Sequence, residues 1–462
     1  MAKKSPSKKA PAKKVPLKKT VTRKPLPELG LINPSDIPRE DPDMLVEALQ
    51  ASIGGEGVII QRASDMEGRM DLRRPSGITS LDMDIGGGLP AGGMSQIDGI
   101  DGVGKNLLLN YFYAANQRIH GDNSKLFQSC FEFPYDKMFG RACGVKVSLT
   151  PYELRSIARS RKLNGEELSD EEADELKTQV GKFHIFRGAA SEKVLQAVVE
   201  AVEMNTYQIG GIDSWDAMLT IAEDEKDLED NAKVADASNL QTRWMRKIFA
   251  AYTPIKICPS CFHKVLSFAK RELSYSYTCP ECEWKGKSPY LFENETTLIG
   301  IRQVRANMGG GGMGKMRQRE YKVGGSWALK HGKLVDIQLR PGEVTRDKSG
   351  NKVAKEINWE LTKGKAGTHE GKRGSYWYHF SPPEIDVASD MVNYCTHHGI
   401  IEGAGRGKYK IKHSGHIKEH PEIIDFSSKI ELQRAVEEDE NIRDGLTVLM
   451  LRHAGLGHVR YR

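Results

Sequence analysis

The stretch GIDGVGKN, residues 99–106, constrains the fold more than any other part of the chain. Seven of its eight positions fit the phosphate-loop pattern G-x-x-x-x-G-K-[ST], and we call it the phosphate loop below. Such a loop needs a strand before it, glycines that let backbone N–H groups point inward, and a helix after it. MSQID supplies the strand, Gly99, Gly102 and Gly104 supply the turn, and NLLLNYFYAANQ supplies the helix. The sequence therefore predicts a cradle for phosphate groups, with Lys105 reaching the outer ones.

Two acidic residues are predicted to lie at the same edge of the sheet as this loop. Asp213 ends the apolar strand IGGID, at the carboxyl end where open α/β sheets bind ligands. It can hold Mg²⁺ through water, or it can simply cap the helix that follows. Glu132 follows the strand KLFQSCF and is placed to polarise a water molecule if that strand lies beside the loop.

Strands and helices alternate from Ile78 onward, which predicts an α/β domain with a mostly parallel sheet. The candidate strands are GMSQIDG, KLFQSCFEF, KFHIFRG, YQIGGIDSW and TTLIGIRQV. The helical segments between them include NLLLNYFYAANQRI, SEKVLQAVVEAVEM and ASNLQTRWMRKIFAAY. KLVDIQLR, EINWELT and SYWYHF follow without long helices between them and predict an antiparallel extension of the same sheet. Before the domain, residues 43–53 predict a short helix and GVIIQRA a strand.

Composition and motif order divide the chain into regions. We expect a disordered basic tail and linker (1–42), an N-terminal helix–strand oligomerisation segment (43–72), an ATPase core (73–385) with a cysteine ribbon inserted at 256–290, and a small α+β C-terminal domain (386–462). Residues 1–27 hold ten Lys or Arg and no acid, so the rest of the chain carries −4 although the whole carries +6. A flexible polycation suits salt-sensitive attachment to nucleic acid, and equally a solubilising or localisation role.

Six stretches follow one another in a fixed order. They are RRPSGITSLDMDIGGGLPAGGMSQIDGIDGVGKN, CFEFPYDKMFGRACG, IGGIDSWDAML, TLIGIRQVRANMGGGGMGKMRQREYKVGGSWALK, LTKGKAG and VNYCTHHGIIEGAGRGKYKIKHSGHIKEHPE. In this order the chain resembles the RecA recombinases over roughly residues 44–435. The resemblance implies a RecA-type P-loop NTPase core and a DNA-dependent ATPase. Such a protein forms a helical filament on single-stranded DNA and pairs it with homologous duplex DNA in recombination and repair.

The resemblance also implies roles for individual residues. It assigns ATP binding to Gly99, Gly102, Gly104, Lys105, Asn106, Asp136, Phe139, Asp213 and Ser214, with Phe139 stacking on the adenine. Lys105 is implied to be catalytic, Glu132 to activate water, and Gln303 to sense the γ-phosphate and relay its state to the DNA loop. Lys363 and Lys365 are implied to reach the ATP of a neighbouring subunit. Filament assembly and ATP binding would then be one linked equilibrium.

Asn106 departs from the pattern, because a hydroxyl residue is expected at this position. A Ser or Thr hydroxyl would ligate Mg²⁺ directly, and an amide oxygen is also a suitable ligand for this ion. The amide is longer and branched, so the distance to the metal would need an adjustment of the backbone. We expect ATP binding to be retained and hydrolysis to be weakened or slowed.

A basic, glycine-rich segment follows Gln303. Six cations surround GGGGMG against the single acid Glu320; they are Arg302, Arg305, Lys315, Arg317, Arg319 and Lys322. Such a segment can follow the backbone of single-stranded DNA, although it can also be a surface loop without function. The second expected DNA loop, AEDEKDLED, is acidic, so contacts there are expected from Arg243 and Arg246 in the following helix.

The cysteine ribbon carries CPSC and CPEC, whose Cys258, Cys261, Cys279 and Cys282 are separated in the middle by seventeen residues. Four thiolates at this spacing predict a closed tetrahedral Zn²⁺ site with a structural role. The ribbon is too short to bury a core, so metal binding is expected to supply its folding energy. It departs from the recombinase pattern, and we expect it at the amino-terminal edge of the sheet, as a docking site for a protein partner or duplex DNA.

Two other functions fit the same motifs. One is a ring-forming DNA helicase or branch-migration ATPase of the same core fold, and the other is a nucleotide-gated single-stranded-DNA-binding protein with little hydrolysis. No apolar run approaches a membrane span, no secretory leader is visible, and the seven cysteines lack an extracellular context. We therefore expect no membrane partner, and a cytoplasmic, nucleoid-associated location in a bacterial or phage-infected cell.

Overall fold

The computed structural model describes residues 71–224, 236–264, 266–271, 274–306, 321–323 and 326–461. The chain divides into two units, one of Met1–Gln61 with Ala269–Tyr275 and one of Arg62–Phe268 with Ser276–Arg462. Apart from residues 269–275, all elements below belong to the second unit. The tail at 1–42, the helix expected at 43–53 and the strand GVIIQRA lie outside the described residues.

Strands and helices alternate through most of the described chain. The strands are β1 (Arg73–Arg74), β2 (Leu89–Pro90), β3 (Gly93–Gly99), β4 (Lys125–Cys130), β5 (Lys182–Phe186), β6 (Ile209–Asp213), β7 (Ile255–Ile257), β8 (Ser267–Arg271), β9 (Ser274–Thr278), β10 (Lys285–Gly286), β11 (Tyr290–Phe292), β12 (Thr297–Ala306), β13 (Tyr321–Val323), β14 (Val335–Arg346), β15 (Lys352–Gly364), β16 (Arg373–Phe380), β17 (Pro383–Ile385), β18 (Ile401–Gly403), β19 (Tyr409–Lys412) and β20 (Ile423–Phe426). The helices are α1 (Thr79–Asp84), α2 (Lys105–His120), α3 (Lys137–Ala142), α4 (Pro151–Leu163), α5 (Asp170–Lys177), α6 (Ser191–Glu203), α7 (Ile221–Asp224), α8 (Asp236–Ala251), α9 (Trp327–Gly332), α10 (Val387–His397), α11 (Lys429–Glu438) and α12 (Glu440–His453). Within the described ranges, none of these helices has the length and apolar character needed to cross a bilayer.

The central sheet has the strand order β17-β16-β15-β14-β3-β12-β6-β4-β5, and β13 pairs with β12. The six strands from β14 to β5 all run parallel, which confirms the predicted α/β fold with a mostly parallel sheet. The carboxyl ends of parallel strands meet at one edge of a sheet. The order therefore brings the ends of β3, β12, β6 and β4 to one edge, at Gly99, Ala306, Asp213 and Cys130.

The predicted antiparallel extension is correct for two of its three segments. β15 and β16 run antiparallel to their neighbours, and β17 continues the series. KLVDIQLR was expected in the extension, but β14 lies parallel to β3 and only its other edge pairs antiparallel, with β15. The physical reason is the connection from β12, which returns to the starting edge of the sheet through the short helix α9 and so permits a parallel crossover.

The sheet is buried between two apolar layers. One layer centres on α2, where residues such as Leu108 and Phe112 are fully buried against β3 and β15. The other centres on α6 and α8, and α6 presents Val194, Leu195, Val198 and Val202 at helical spacing. Because both faces of the parallel strands are covered, the sheet positions the loops at its edges rigidly.

The cysteine ribbon is inserted before β12. β7 and β11 pair antiparallel at its base, from Ile255 opposite Phe292 to Ile257 opposite Tyr290. β11 leads into β12, which begins at Thr297 on the side of the sheet away from Gln303. The ribbon therefore lies at the amino-terminal edge of the sheet, as the sequence predicted.

The last part of the described chain has its own apolar cluster. β18, β19 and β20 form a three-stranded antiparallel sheet, and α10, α11 and α12 pack beside it. Met83 of α1 joins this cluster, which includes Ile401, Ile411 and Leu432. This α+β part belongs to the same unit as the central sheet, so a domain boundary at 386 stays a prediction.

Candidate nucleotide site and metal centre

The phosphate loop is a tight turn between β3 and α2. β3 ends at Gly99 and α2 begins at Lys105. Gly102 and Gly104 have φ angles of 69° and 119°, and a Cβ on Gly104 would lie 2.9 Å from Ile357 Cδ1. The φ angle of Gly104 therefore disfavours any side chain at this position, and a Cβ there would also require the Ile357 side chain to move. The first turn of α2 contains no acidic residue, so the positive end of the helix dipole remains available to an anion.

Lys105 lies over the turn. Its Nζ donates hydrogen bonds to the carbonyl oxygens of Gly99 at 3.1 Å and of Ile100 at 2.8 Å. Burial lowers the pKa of the ammonium group, and the carboxylates of Asp101 and Asp213 partly offset this effect. A lysine held at this place adds a positive charge to the anion-binding end of α2.

Asp213 and Asn106 contact each other across the site. Asn106 Nδ2 donates to Asp213 Oδ2 at 3.2 Å, and Gln128 Nε2 lies 3.4 Å from the same oxygen. Burial raises the pKa of Asp213 to about 6, while the hydrogen bond from Asn106 favours the ionised form. The residue that departs from the phosphate-loop pattern is thus bonded directly to the predicted metal-linked carboxylate.

Glu132 and Ser214 lie on neighbouring strand ends. β4 and β6 pair in parallel with Cys130 opposite Asp213. Ser214 Oγ donates to Glu132 Oε2 at 3.4 Å, and the Glu132 side chain is otherwise exposed. An exposed carboxylate close to the site can accept a proton from water.

A cavity of about 160 Å³ joins the two halves of the predicted nucleotide site. Five predicted residues line it, namely Asn106, Glu132, Asp136, Phe139 and Asp213. Asp136 caps α3 by accepting a hydrogen bond from the backbone N–H of Phe139 at 3.0 Å. The structure therefore brings the residues expected at adenine and those expected at the metal into one cavity.

Gln303 lies near the same edge, on β12. Its backbone N–H donates to Asp216 Oδ2 at 2.8 Å, in the turn that follows Asp213. Val304 and Arg305 of β12 pair with Val323 and Lys322 of β13, so the strand continues past Gln303 as part of a hairpin. Gln303 therefore lies between the turn that follows Asp213 and the paired part of β12 and β13.

Arg302 does not fit its predicted role in DNA contact, because its side chain is 0% exposed. It lies on β12 opposite Asp98 of β3, and its guanidinium nitrogens make no hydrogen bond among the described residues. Lys333 and Asp336, on the same face, form an ion pair, and Lys333 Nζ lies 3.7 Å from Asp98 Oδ2. Arg302 is part of a buried charge cluster, so the prediction that it contacts DNA is wrong.

Four of the other residues predicted to contact DNA lie in the part of the chain that the structure describes. Arg243 and Arg246 are exposed on α8, as a contact role requires. Arg305 and Lys322 are paired positions in the backbone register of β12 and β13. Lys315, Arg317 and Arg319 lie outside the described residues. The DNA contacts of all these residues stay a prediction.

Lys363 and Lys365 lie away from the phosphate loop of their own chain. Lys363 Nζ donates to the carbonyl oxygens of Lys330 and His331, both at 2.8 Å, in the last turn of α9. Burial, with Lys365 and Lys333 nearby, lowers the pKa of Lys363 to about 8. Lys365 is exposed. Neither lysine has a described contact with its own loop, so their roles in a neighbour's site stay a prediction.

Three polar residues at the site were not predicted from the sequence. Gln128 contacts Asp213, Asp216 contacts Gln303, and Lys355 contacts the phosphate loop. Lys355 Nζ donates to the carbonyl oxygen of Gly102 at 2.9 Å and lies 3.4 Å from that of Val103. The alternation in VAKEINWELT could have shown that Lys355 shares a face with Ile357, but the sequence does not show that this face meets the loop.

The four cysteines of the ribbon form a cluster that can hold a metal ion. Their sulfur atoms all lie within 4.8 Å of one another, with Cys258 3.5 Å from Cys282 and Cys261 3.5 Å from Cys279. The two knuckles share one backbone form, since Phe262 and Glu283 each follow the first cysteine by four residues and each have φ 59°. Four sulfur ligands at this separation are compatible with a structural zinc site.

No protein-family model matches this chain, and no curated protein sequence matches it. The fold and the geometry of the site are therefore the basis for any functional conclusion. They define an α/β protein with a large, mostly parallel sheet, a glycine turn that leads into α2 beside the acidic residues Asp213 and Glu132, and a separate four-cysteine cluster.

The cysteine cluster predicts about one bound metal ion per chain. We expect Cys279→Ser to lower the metal content close to zero and to make residues 256–290 sensitive to protease, because the ribbon has little apolar core of its own. Elemental analysis of the purified protein measures the first effect, and limited proteolysis the second. Ser260→Ala, in the same knuckle, should keep its metal; a full complement of metal in Cys279→Ser would contradict the assignment.

Asp213 predicts a pH-dependent stability. Its pKa of about 6 lies above the ordinary value of 3.8, so the folded state holds the proton more tightly than the unfolded chain does. The stability from this proton is present below pH about 4 and is lost as the pH rises through about 6. Asp213→Asn should therefore stabilise the nucleotide-free protein near neutral pH by up to about 2 kcal/mol.

Thermal melting across this pH range measures the effect of Asp213→Asn. The gain in melting temperature should be about 2 °C near neutral pH and should shrink toward zero in acid. Asp122→Asn, at an exposed turn, serves as the control and should change the melting temperature at neither pH. A destabilised Asp213→Asn near neutral pH would show that the ionised carboxylate supports the fold.

Proposed function

We propose that this protein is an ATP-dependent DNA recombinase with a RecA-type P-loop core, which assembles on single-stranded DNA and pairs it with homologous duplex DNA. The single observation that carries the proposal is the course of β12. This strand passes Gln303, beside the predicted nucleotide residues, and continues directly toward the basic glycine-rich segment. One strand therefore connects the candidate nucleotide site to the candidate DNA loop.

In this proposal the phosphate loop and Lys105 hold the phosphates of ATP. The open N-terminus of α2 and the ammonium of Lys105 supply the positive potential that a polyphosphate requires. Asp213 and Asn106 would hold Mg²⁺, which supplies charge neutralisation at the outer phosphates. The two side chains lie within hydrogen-bond distance at one edge of the cavity, and the amide oxygen of Asn106, which this hydrogen bond does not use, would join the Asp213 carboxylate as a ligand of one ion.

Glu132 is the proposed acceptor for the proton of the attacking water. Its carboxylate is exposed to solvent and bonded only through Ser214 Oγ among the described residues. A group in this position can orient a water molecule against the outermost phosphate and take its proton. The hydrogen bond from Ser214 fixes the direction of the carboxylate and links it to the Asp213 strand end.

The size of the cavity supports a site shared between subunits. Its volume of about 160 Å³ is below the roughly 300–1,000 Å³ of complete ligand pockets. A nucleotide bound there would remain largely exposed on one side in a single chain. A second copy that supplies Lys363 and Lys365 would cover that side, and this is the filament arrangement we propose.

The cysteine cluster is proposed to bind Zn²⁺ in a structural role. Four sulfur ligands leave no open coordination position for catalysis. The ribbon begins and ends at β7 and β11, at the edge of the sheet opposite the phosphate loop. We propose that it serves as a docking site for a protein partner or for duplex DNA, away from the nucleotide.

One observation favours a second function, a nucleotide-gated single-stranded-DNA-binding protein with little hydrolysis. Asn106 uses its amide N–H to bond the carboxylate that would organise the metal. A hydroxyl at this position could ligate the metal and leave the carboxylate free for a metal-bound water. In the second function ATP would order the DNA loop, and the protein would release DNA by exchange of the nucleotide.

Binding of single-stranded DNA tests the proposed function. We expect an oligonucleotide to bind at least about tenfold more tightly in the ATP state than in the ADP or nucleotide-free state, because one strand couples the two sites. Fluorescence anisotropy of a labelled oligo-dT measures this, and Lys105→Met should lose the difference. Electron microscopy of the ATP complex should show helical filaments; rings would favour a helicase, and equal affinity in all three states would contradict the proposal.

Replacement of Asn106 tests whether this residue limits the hydrolysis of ATP. We expect Asn106→Thr to raise DNA-stimulated ATP hydrolysis by about tenfold, because the hydroxyl restores a direct metal ligand. Asn106→Ala removes the amide without adding a ligand and should give no such gain. A rate that is the same in Asn106→Thr and the unmodified protein at every Mg²⁺ concentration would show that this position does not limit hydrolysis.

A further inference from the structure

We propose that Lys355 is a positioning residue of the phosphate loop, which holds the loop ready for the β-phosphate of a nucleotide. The proposal rests on the nucleotide binding proposed above. None of the motifs that predict the site includes Lys355, which enters the site from β15, about 250 residues later in the chain.

The first argument is the direction of the peptide groups in the loop. Lys355 Nζ donates to the Gly102 carbonyl at 2.9 Å and lies 3.4 Å from the Val103 carbonyl. In a planar trans peptide the N–H group points away from the carbonyl of the same peptide. With these carbonyls bound on one side, the N–H groups of Val103 and Gly104 are turned toward the other side.

These two N–H groups are available to a ligand. The N–H of Val103 makes only a long contact of 3.4 Å with the Ile100 carbonyl, and Gly104 is the N-terminal cap of α2. Backbone N–H groups at the start of a helix are the donors that bind phosphate. A cation on the carbonyl side also polarises each peptide group and so strengthens its N–H as a donor.

The second argument is the way in which Lys355 itself is held. Its Nζ lies 5.7 Å from the ring centre of Tyr378 and 5.9 Å from that of Phe380, both on β16. Aromatic rings at such distances attract a cation and restrict its position. Two residues along β15, Ile357 packs against Gly104 of the same loop. One strand therefore contacts the loop twice, through the apolar side chain of Ile357 and the cationic side chain of Lys355.

This arrangement predicts a selective effect on nucleotide affinity. Lys355 orders the N–H groups that would bind a β-phosphate. The affinity of the protein for ADP and for ATP should therefore depend on Lys355. AMP lacks this phosphate and should not depend on it. A residue that only stabilised the fold would affect all nucleotides in the same proportion.

The test compares Lys355→Met, Lys355→Arg and Lys352→Met. Displacement of a fluorescent ADP analogue by ADP and by AMP gives the affinity of each protein. We expect Lys355→Met to lower the affinity for ADP by about tenfold, because a charge-assisted hydrogen bond is lost. The affinity for AMP should not change. Lys355→Arg should keep the ADP affinity within about threefold, because the charge is retained. Lys352→Met removes the same charge from an exposed position on β15 and should have no effect.

Several outcomes would overturn the proposal. They are an unchanged ADP affinity in Lys355→Met, an equal loss for AMP and ADP, and a loss in Lys355→Arg as large as in Lys355→Met. If circular dichroism shows that Lys355→Met does not fold, Phe380→Leu is used in its place. This variant removes one of the two rings near Lys355 and should lower the affinity for ADP by about twofold. An unmodified protein that binds no nucleotide would refute the proposed function itself and this inference with it.

Discussion

Two lysines hold the backbone carbonyls of the phosphate loop, and the rest of the site is arranged around the turn that they fix. Lys105 bonds the carbonyls of Gly99 and Ile100, and Lys355 bonds that of Gly102. Because peptide groups are planar, the N–H groups of Val103 and Gly104 point away from the carbonyls that Lys355 contacts. β3 lies between β12 and β14 in parallel register, so this turn has a fixed place at the centre of one sheet edge. The hydrogen bonds between β3, β12 and β6 also fix the positions of Gln303 and Asp213 relative to this turn.

The sequence was sufficient to predict the position of residues that is set by the local chain. A strand, a glycine turn and a helix in succession predict the phosphate loop, Asp213 ends an apolar strand, and Glu132 follows another. The cysteine cluster follows from the spacing of the two knuckles. Lys355, Gln128 and Asp216 could not be predicted in this way, because each meets its partner across strands that are distant in the chain. Their contacts depend on the order β15-β14-β3-β12-β6-β4, which no local pattern specifies.

Two predictions were wrong, the exposure of Arg302 and the antiparallel direction of β14. Arg302 was assigned to a DNA surface because it belongs to the group of cations around the glycine-rich segment, and charged side chains are rarely buried. In the fold it lies in the same layer as Asp98, Lys333 and Asp336, where two acids and two bases are buried together. Burial and the neighbouring Asp336 raise the pKa of Asp98, while Lys333 opposes them. The parallel direction of β14, which the connection through α9 permits, places Asp336 beside β3 and so adds it to this cluster.

A bulge in β15 gives the two ends of this strand different partners. The register with β14 shifts between Asp336 and Ile337, so that Leu361 and Lys363 are both paired and Thr362 is passed over. An extra residue in a strand turns the side chains beyond it to the opposite face. Lys355 accordingly contacts the phosphate loop on one face, and Lys363 contacts the end of α9 on the other. Eight residues of strand span roughly 25 Å. In the proposed filament, β15 would therefore hold the loop of its own chain at one end and reach the neighbour's nucleotide at the other.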